Sequence, residues 1–234
     1  MAEEKDNKNF LRYGENISIL NKEIDRVCRN SGRRPEDITV IAATKYVGPE
    51  GVRMVHKLGI TDFGENRSDE LLIKQKVLPE DSRWHFIGHL QSRKAKTVVP
   101  YVEYIHSIDS LSTMEKVGKE AGKTGKTQKV LIEVNISGEQ TKYGLRKDLV
   151  DSFIGNAINI KNIEIKGFMT MAPYNEDIER IRRIFRELRL LKEKVSVSYR
   201  GLDLSELSMG MSNDFKIAIE EGATMIRVGS NIFK

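Results

Sequence analysis

The chain has 234 residues, 39% hydrophobic and 31% charged, with a formal net charge of +5 and a sequence isoelectric point near 9.1. This fits a soluble globular protein long enough for a sizeable core. No stretch approaches the roughly 18 consecutive apolar residues of a membrane span, and the charged start Met1-Ala2-Glu3-Glu4-Lys5-Asp6 does not read as a signal peptide. The single cysteine, Cys28, excludes an internal disulfide and a Cys-rich metal site, so a cytoplasmic protein is expected. Basic residues are mixed with acidic ones along most of the chain. The densest basic stretch, Arg93-Lys94-Ala95-Lys96, lacks interleaved aromatics and reads as a solvated helix face, so no specific nucleic acid is expected.

Phe10, Tyr13, Ile17, Leu20, Ile24 and Val27 recur at spacings of three and four, which predicts an amphipathic helix over about residues 8–31, ended by Gly32 and Pro35, with Cys28 as filler. Strand-like apolar runs then alternate with helical patterns. The runs start near Ile38, Ile60, Trp84, Tyr104, Lys129, Ile163, Leu204 and Thr224. Between them lie segments such as Leu111, Met114, Val117, Ala121, and what reads as the longest helix, through Ile178, Ile181, Phe185, Leu188 and Leu191. Eight strands separated by seven helical segments predict an α/β fold: a single (β/α)8 TIM barrel over about residues 38–234. The N-terminal helix fills the place of a last covering helix, and no linker divides residues 1–234, so one domain is expected. An open sheet of eight strands is the rival arrangement.

The first strand run, Thr39-Val40-Ile41-Ala42-Ala43-Thr44, ends on Lys45 before Gly48 and Pro49 open a helix. The C-terminal strand ends of α/β barrels carry their chemistry, and an amine partly removed from water there is deprotonated more easily and attacks a carbonyl. Lys45 is therefore the candidate for a Schiff base. The alternative is a lysine that snorkels to solvent. Phe63-Gly64-Glu65-Asn66-Arg67 ends the second strand, where Asn66 is placed to hydrogen-bond a cofactor. Trp84-His85-Phe86-Ile87-Gly88-His89-Leu90-Gln91 covers the third strand and its loop. His85 reads as a satisfied core histidine ahead of a base, and His89 as a surface residue. The interval between them crosses a strand and Gly88 and has no acidic neighbour, so no metal is expected.

Leu207-Ser208-Met209-Gly210-Met211-Ser212-Asn213-Asp214 follows the seventh strand and opens a helix with Ser212 as a plausible N-cap. Met225-Ile226-Arg227-Val228-Gly229-Ser230-Asn231 runs from the eighth strand into a small polar turn. Barrel phosphate sites commonly use these two loops, and their glycines and hydroxyls suit an anion. The alternatives are an ordinary turn and a capped helix start with Met209 and Met211 as core filler. Arg227 shares a strand face with Gly229 and, pointing inward, needs a partner. Glu65, Glu133 and Asp203 are the structural choices. The functional choice is the ring nitrogen of a bound cofactor, whose protonation the guanidinium would oppose.

The chain resembles the pyridoxal phosphate homeostasis proteins, PLP-binding barrels of a fold-type-III-like kind, similar to the N-terminal domain of alanine racemase. The resemblance spans nearly the whole chain. It is carried by Ala42 to Lys45, Phe63-Gly64-Glu65-Asn66, Trp84-His85-Phe86-Ile87-Gly88, Leu90-Gln91, His106-Ser107-Ile108-Asp109, Val134-Asn135-Ile136, Lys142 with Gly144, Gly167-Phe168-Met169, Leu207 to Ser212 and Arg227-Val228-Gly229. It departs at Arg93, where the family usually has asparagine, and at Ile232-Phe233-Lys234, where members usually continue with glycine and a short tail.

The resemblance implies that Lys45 forms the internal aldimine with pyridoxal 5′-phosphate and that Arg227 faces the pyridine nitrogen. It also implies that the Ser208-Met209-Gly210 loop and Gly229-Ser230 hold the phosphate. The function it implies is reversible binding of the cofactor in intracellular PLP homeostasis or supply, with little or no catalysis. A monomer is expected, with apo PLP-enzymes as recipients. A PLP-dependent amino-acid racemase is the alternative, weakened because racemisation needs a second base that related enzymes take from an added domain and a partner subunit.

Overall fold

Eight short runs, most of them rich in β-branched or aromatic residues, form the strands. They are β1 (Thr39–Ala43), β2 (Asp62–Glu65), β3 (Arg83–Phe86), β4 (Tyr104–Ile108), β5 (Gln128–Asn135), β6 (Ile163–Met169), β7 (Glu206–Met211) and β8 (Met225–Val228). The computed structural model describes residues 2–139, 141–174 and 176–234; Met1, Gln140 and Asn175 lie outside the described residues. Each strand pairs in parallel with the next. β8 closes onto β1 with Thr39 opposite Met225 and Ile41 opposite Arg227, so the sheet is a barrel and the open-sheet rival is excluded. A two-residue strand, Leu145–Arg146, is added to the end of β5.

The surrounding helices are α1 (Ala2–Asn30), α2 (Pro49–Lys57), α3 (Ser68–Lys74), α4 (Ala95–Val98), α5 (Leu111–Lys123), α6 (Val150–Ala157), α7 (Ile178–Ser198), α8 (Phe215–Glu220) and α9 (Ser230–Phe233). Two expectations need correction. α1 starts at Ala2 rather than near residue 8, and its 29 residues make it longer than α7, which has 21. Apolar periodicity marks only the stretch of a helix that packs, whereas the first turns of α1 rest on good helix formers such as alanine, glutamate and lysine.

Strand alternation sorts the core into two layers. Ala42, Phe63, Phe86, Ile105, Val130, Ile132, Phe168, Leu207 and Ile226 point outward and join the apolar faces of the helices. Ile41, Tyr104, Leu131, Met169 and Met225 form a smaller cluster inside the barrel. Each fully buried Leu or Ile side chain in these layers contributes about 1.5–3 kcal/mol. β6 bulges at Gly167, whose φ is +148°. A Cβ there would lie 1.9 Å from the Glu206 carbonyl oxygen, so glycine is what lets β7 pair at this point.

The helix that closes the barrel is α1. Tyr13, Ile17, Leu20, Ile24, Val27 and Cys28 are buried in its packed face. Asn16 Nδ2 donates to the backbone oxygens of Ile232 (3.0 Å) and Lys234 (2.8 Å), and the Tyr13 and Phe233 rings meet edge-on at 5.4 Å. Burial raises the Cys28 thiol pKa, which makes it a core filler and not a nucleophile. Among the described residues no helix is long and apolar enough to cross a membrane.

Candidate functional site

Lys45 extends the inward phase of Ile41 and Ala43 by two residues, at the C-terminal end of β1. The chain turns there, with the Val47 N–H donating to the Thr44 carbonyl at 3.0 Å. Lys45 is exposed, and its Nζ lies 5.0 Å from the centre of the Tyr46 ring. The expected withdrawal of this amine from water is thus corrected, because the strand stops at Ala43 and the lysine sits in the turn beyond it.

Directly beneath this turn is a buried ion pair that the sequence did not announce. Lys74 of α3 and Glu65 of β2 are each 1% exposed in their side chains, with Nζ and Oε1 2.6 Å apart. Lys74 Nζ also donates to the Thr44 carbonyl at 2.9 Å, the peptide that leads into Lys45. Thr44 Oγ1 donates to Glu65 Oε1 at 2.6 Å, and the Asn66 backbone N–H donates to Glu65 Oε2 at 3.0 Å. One carboxylate therefore ties together the ends of the neighbouring strands β1 and β2, just before Lys45 and Asn66. In sequence Lys74 is four residues after Glu70 and reads as half of an ordinary surface helix pair. Asn66 is exposed at the mouth, and Gly88 lets the following loop lie against its backbone, since a Cβ there would be 2.5 Å from the Asn66 oxygen.

The loops after β7 and β8 lie on the other side of β1 from Asn66 and are joined by a hydrogen bond from the Gly229 N–H to Ser212 Oγ at 3.2 Å. Ser230 is exposed at the start of α9. Ser212 is not the N-cap of α8 as expected. Asp214 takes that position, and its Oδ1 accepts the Met211 N–H at 2.5 Å. Ser212 is thus committed to the loop after β8, a placement that the reading as a helix cap had hidden. Met209 is fully buried in the outer layer, and Gly210, with φ +93°, faces α8, where a Cβ would be 2.5 Å from Ala218 Cβ. Ser208 is buried inside the barrel with its hydroxyl engaged by Arg227 and His106.

Arg227 points inward and is 4% exposed. Its Nη1 donates to Ser208 Oγ at 2.5 Å and its Nη2 to the Thr170 carbonyl at 3.0 Å. None of the three carboxylates expected as its partner is bonded to it: Glu65 holds Lys74, Asp203 holds Lys166, and Glu133 and Asp214 act on it only as nearby charges. Burial lowers its pKa to about 10, against the pull of those two carboxylates. The polar contacts continue across the interior. Ser208 Oγ lies 2.8 Å from His106 Nδ1, His106 Nε2 lies 2.9 Å from His85 Nδ1, and His85 Nε2 lies 3.0 Å from Asp62 Oδ1. Arg83 clamps the far side of Asp62 at 2.8 and 2.6 Å. The expected core role of His85 is what its place in this chain describes.

Glu133 of β5, in phase with Leu131, is 3% exposed. Burial raises its carboxyl to about 7, helped by repulsion from Asp109 and opposed by Arg227. Across the rim, the His89 and Tyr143 rings stack at 3.9 Å, bridging the loops that follow β3 and β5. Arg93 is exposed and bonded to Gln91 at 3.1 Å, a surface role consistent with the basic stretch reading as a solvated helix face. No group of three or more His, Cys, Asp or Glu side chains suited to a metal ion occurs among the described residues.

The profile of the family described as "Alanine racemase, N-terminal domain" matches residues 24–234. The pyridoxal phosphate homeostasis protein of Aquifex aeolicus is 39% identical over 220 residues, covering 94% of this chain and 96% of that one. That of Vibrio alginolyticus is 32% identical over 224 residues, covering 94% and 95%. PipY of Synechococcus elongatus, solved with PLP bound, superposes with a TM-score of 0.81 at 31% identity, covering 91% of this chain and all (100%) of that one. An alanine racemase of Clostridium difficile, at 14% identity and a TM-score of 0.76 over 93% of this chain and 56% of its own, shares the fold. With a closed parallel barrel, a lysine at the end of its first strand and relatives matched over nearly their whole length, the chain belongs to the pyridoxal phosphate homeostasis protein family, within the alanine racemase N-terminal domain group.

Proposed function

We propose that this protein binds pyridoxal 5′-phosphate reversibly at the barrel mouth, linked covalently to Lys45, and serves intracellular homeostasis or supply of the cofactor with little or no catalysis. The carrying observation is the convergence at one mouth of Lys45 with two loops joined through Gly229 and Ser212. The donor set fits the ligand: an exposed primary amine, glycine- and serine-bearing loops for a phosphate, and a buried guanidinium below them. The PLP-bound relative, PipY, supports the same choice. When bound, the cofactor supplies an aldehyde that an amine captures reversibly.

In this reading Lys45 captures the aldehyde, and Lys74 and Glu65 hold the Thr44–Lys45 peptide in place. Gly229, Ser230 and Ser212 bind the phosphate, joined by the backbone of the Ser208-Met209-Gly210 segment. Asn66 hydrogen-bonds the ring's edge. Arg227 faces the pyridine nitrogen and, being a cation, keeps a proton off it. We take residues 1–234 as one domain of a monomeric cytoplasmic protein whose recipients are apo PLP-enzymes. An exposed lysine suits release, because a competing amine from solvent reaches it without any part of the barrel opening.

Purified protein mixed with pyridoxal phosphate is expected to show a yellow absorbance band that borohydride removes, with the reduced adduct located on Lys45 by mass spectrometry. Lys45→Ala is expected to lack both, and a colourless wild type overturns the reading. Transfer to an apo-enzyme faster than release into buffer marks delivery; transfer no faster than release marks passive buffering.

A second reading, amino-acid racemisation, draws on Glu133, a buried carboxyl poised near neutrality in the same barrel. Its test is a chiral assay with alanine and serine, which would have to show turnover lost in both Lys45→Ala and Glu133→Gln.

A further inference from the structure

We propose that His106, His85 and Asp62 are positioning residues for Arg227, forming a one-way hydrogen-bond relay through the barrel that carries the state of the mouth to its opposite end. The proposal rests on Arg227 facing the cofactor ring, as argued above. Its basis is the directionality of the contacts. Arginine only donates, so Ser208 Oγ accepts the Arg227 bond. At the other end the Asp62 carboxylate only accepts, which puts the proton of a neutral His85 on Nε2, leaves its Nδ1 to accept from His106 and so turns the Ser208 proton toward His106 Nδ1. With Nδ1 accepting, His106 carries its proton on Nε2 and donates it to His85 Nδ1. His85 in turn carries its proton on Nε2 and donates it to the Asp62 carboxylate, which Arg83 holds from the other side. Every bond from Arg227 to Asp62 therefore points the same way.

These side chains come from β8, β7, β4, β3 and β2 and are each at most 5% exposed. Such interior positions are ordinarily filled by branched aliphatic residues. Satisfying Arg227 alone would require only Ser208 and the Thr170 carbonyl; the chain continues past them to an ion pair at the N-terminal end of the strands. Burial, which outweighs every other influence on it, together with the nearby Arg227 charge, holds His106 neutral, which keeps the direction fixed. The other titratable groups facing the chain are Tyr104, stacked on His85 at 5.3 Å, and Glu133 and Asp214, which act on Arg227 as charges. Bonded in this way, the guanidinium has two of its nitrogens fixed toward Ser208 and Thr170, and any change in its pull on Ser208 is passed along the imidazoles.

The test is ring-nitrogen NMR of the intact protein labelled with ¹⁵N-histidine, which has only four histidines to assign. Both His85 and His106 are expected as the Nε2–H tautomer before any ligand is added. Pyridoxal phosphate is expected to shift the ring nitrogens of both, and inorganic phosphate, which lacks the ring, to shift neither. In His106→Leu the response at His85 should fall at least about fivefold, whereas His106→Gln, which keeps one acceptor and one donor, should retain it. An Nδ1–H tautomer at His106, or a wild type that takes up pyridoxal phosphate without moving His85, overturns the relay and leaves the cofactor reading standing. A wild type that takes up no pyridoxal phosphate overturns the cofactor reading and the relay with it. The tautomer and wild-type measurements decide the matter even if the variants fail to fold.

Discussion

At the scale of single residues, Lys74 and Glu133 carry the sharpest consequences. Removing one partner of a buried ion pair strands the other charge, so Lys74→Met is expected to destabilise the protein by about 3–5 kcal/mol in urea denaturation. Adding Glu65→Leu should recover only part of that, because Thr44 and Asn66 lose the carboxylate as well. Glu133 gives a pH signature. Its carboxyl is raised from 4.5 to about 7, so the folded state retains a proton that the unfolded chain has released across that interval. The contribution of Glu133 is therefore favourable in acid and lost as pH rises through about 7, by on the order of 3 kcal/mol. Glu133→Gln should remove this loss, read as a smaller difference in urea midpoint between pH 5 and pH 8. Lys45, Arg227 and the glycines of the last loops were legible in the sequence because strand ends and turn residues announce themselves. Lys74 was not, because a lysine four residues after a glutamate looks the same whether the pair faces water or a strand.

Among the elements, α1 stands where a covering helix would otherwise follow β8, and it is held there by specific bonds as well as by its apolar face. Asn16 makes two hydrogen bonds to the backbone of the last residues, so Asn16→Ala is expected to cost about 1–3 kcal/mol, measurable by chemical denaturation. Every strand starts within two residues of the position expected from its apolar run. Helix lengths were harder to read. α3 and α4 have only seven and four residues, too few turns for a 3.6-residue period to register, and the first turns of α1 carry no apolar stripe. The cap of α8 was misread for a related reason: Ser212 and Asp214 are both good cap residues, and only the bond to Gly229 shows which one is committed elsewhere.

For the molecule as a whole, the polar chain from Arg227 to Asp62 links stability to pH. Burial pushes the Asp62 carboxyl up, but the hydrogen bonds from His85 and Arg83 outweigh it and hold the group well below the usual range. Its contribution is present above about pH 4 and lost as pH falls further, while neutral His106 loses its share from about pH 6.5 downward. Asp62→Ala should cost about 3 kcal/mol at neutral pH and flatten the acid limb of the stability curve, followed by circular dichroism. No periodicity in the sequence pointed to this chain, since its members are separated by 19 to 102 residues and each looks like an isolated polar residue in a strand. Those separations also govern how the barrel assembles. A strand that slips by one residue turns its inward side chains outward, which would leave Arg227, Ser208 or either imidazole facing aliphatic helix surfaces with no partner. Incorrectly threaded barrels are thereby penalised at several strands together, so the polar interior acts as a proofreading key that admits one alignment of β2, β3, β4, β7 and β8.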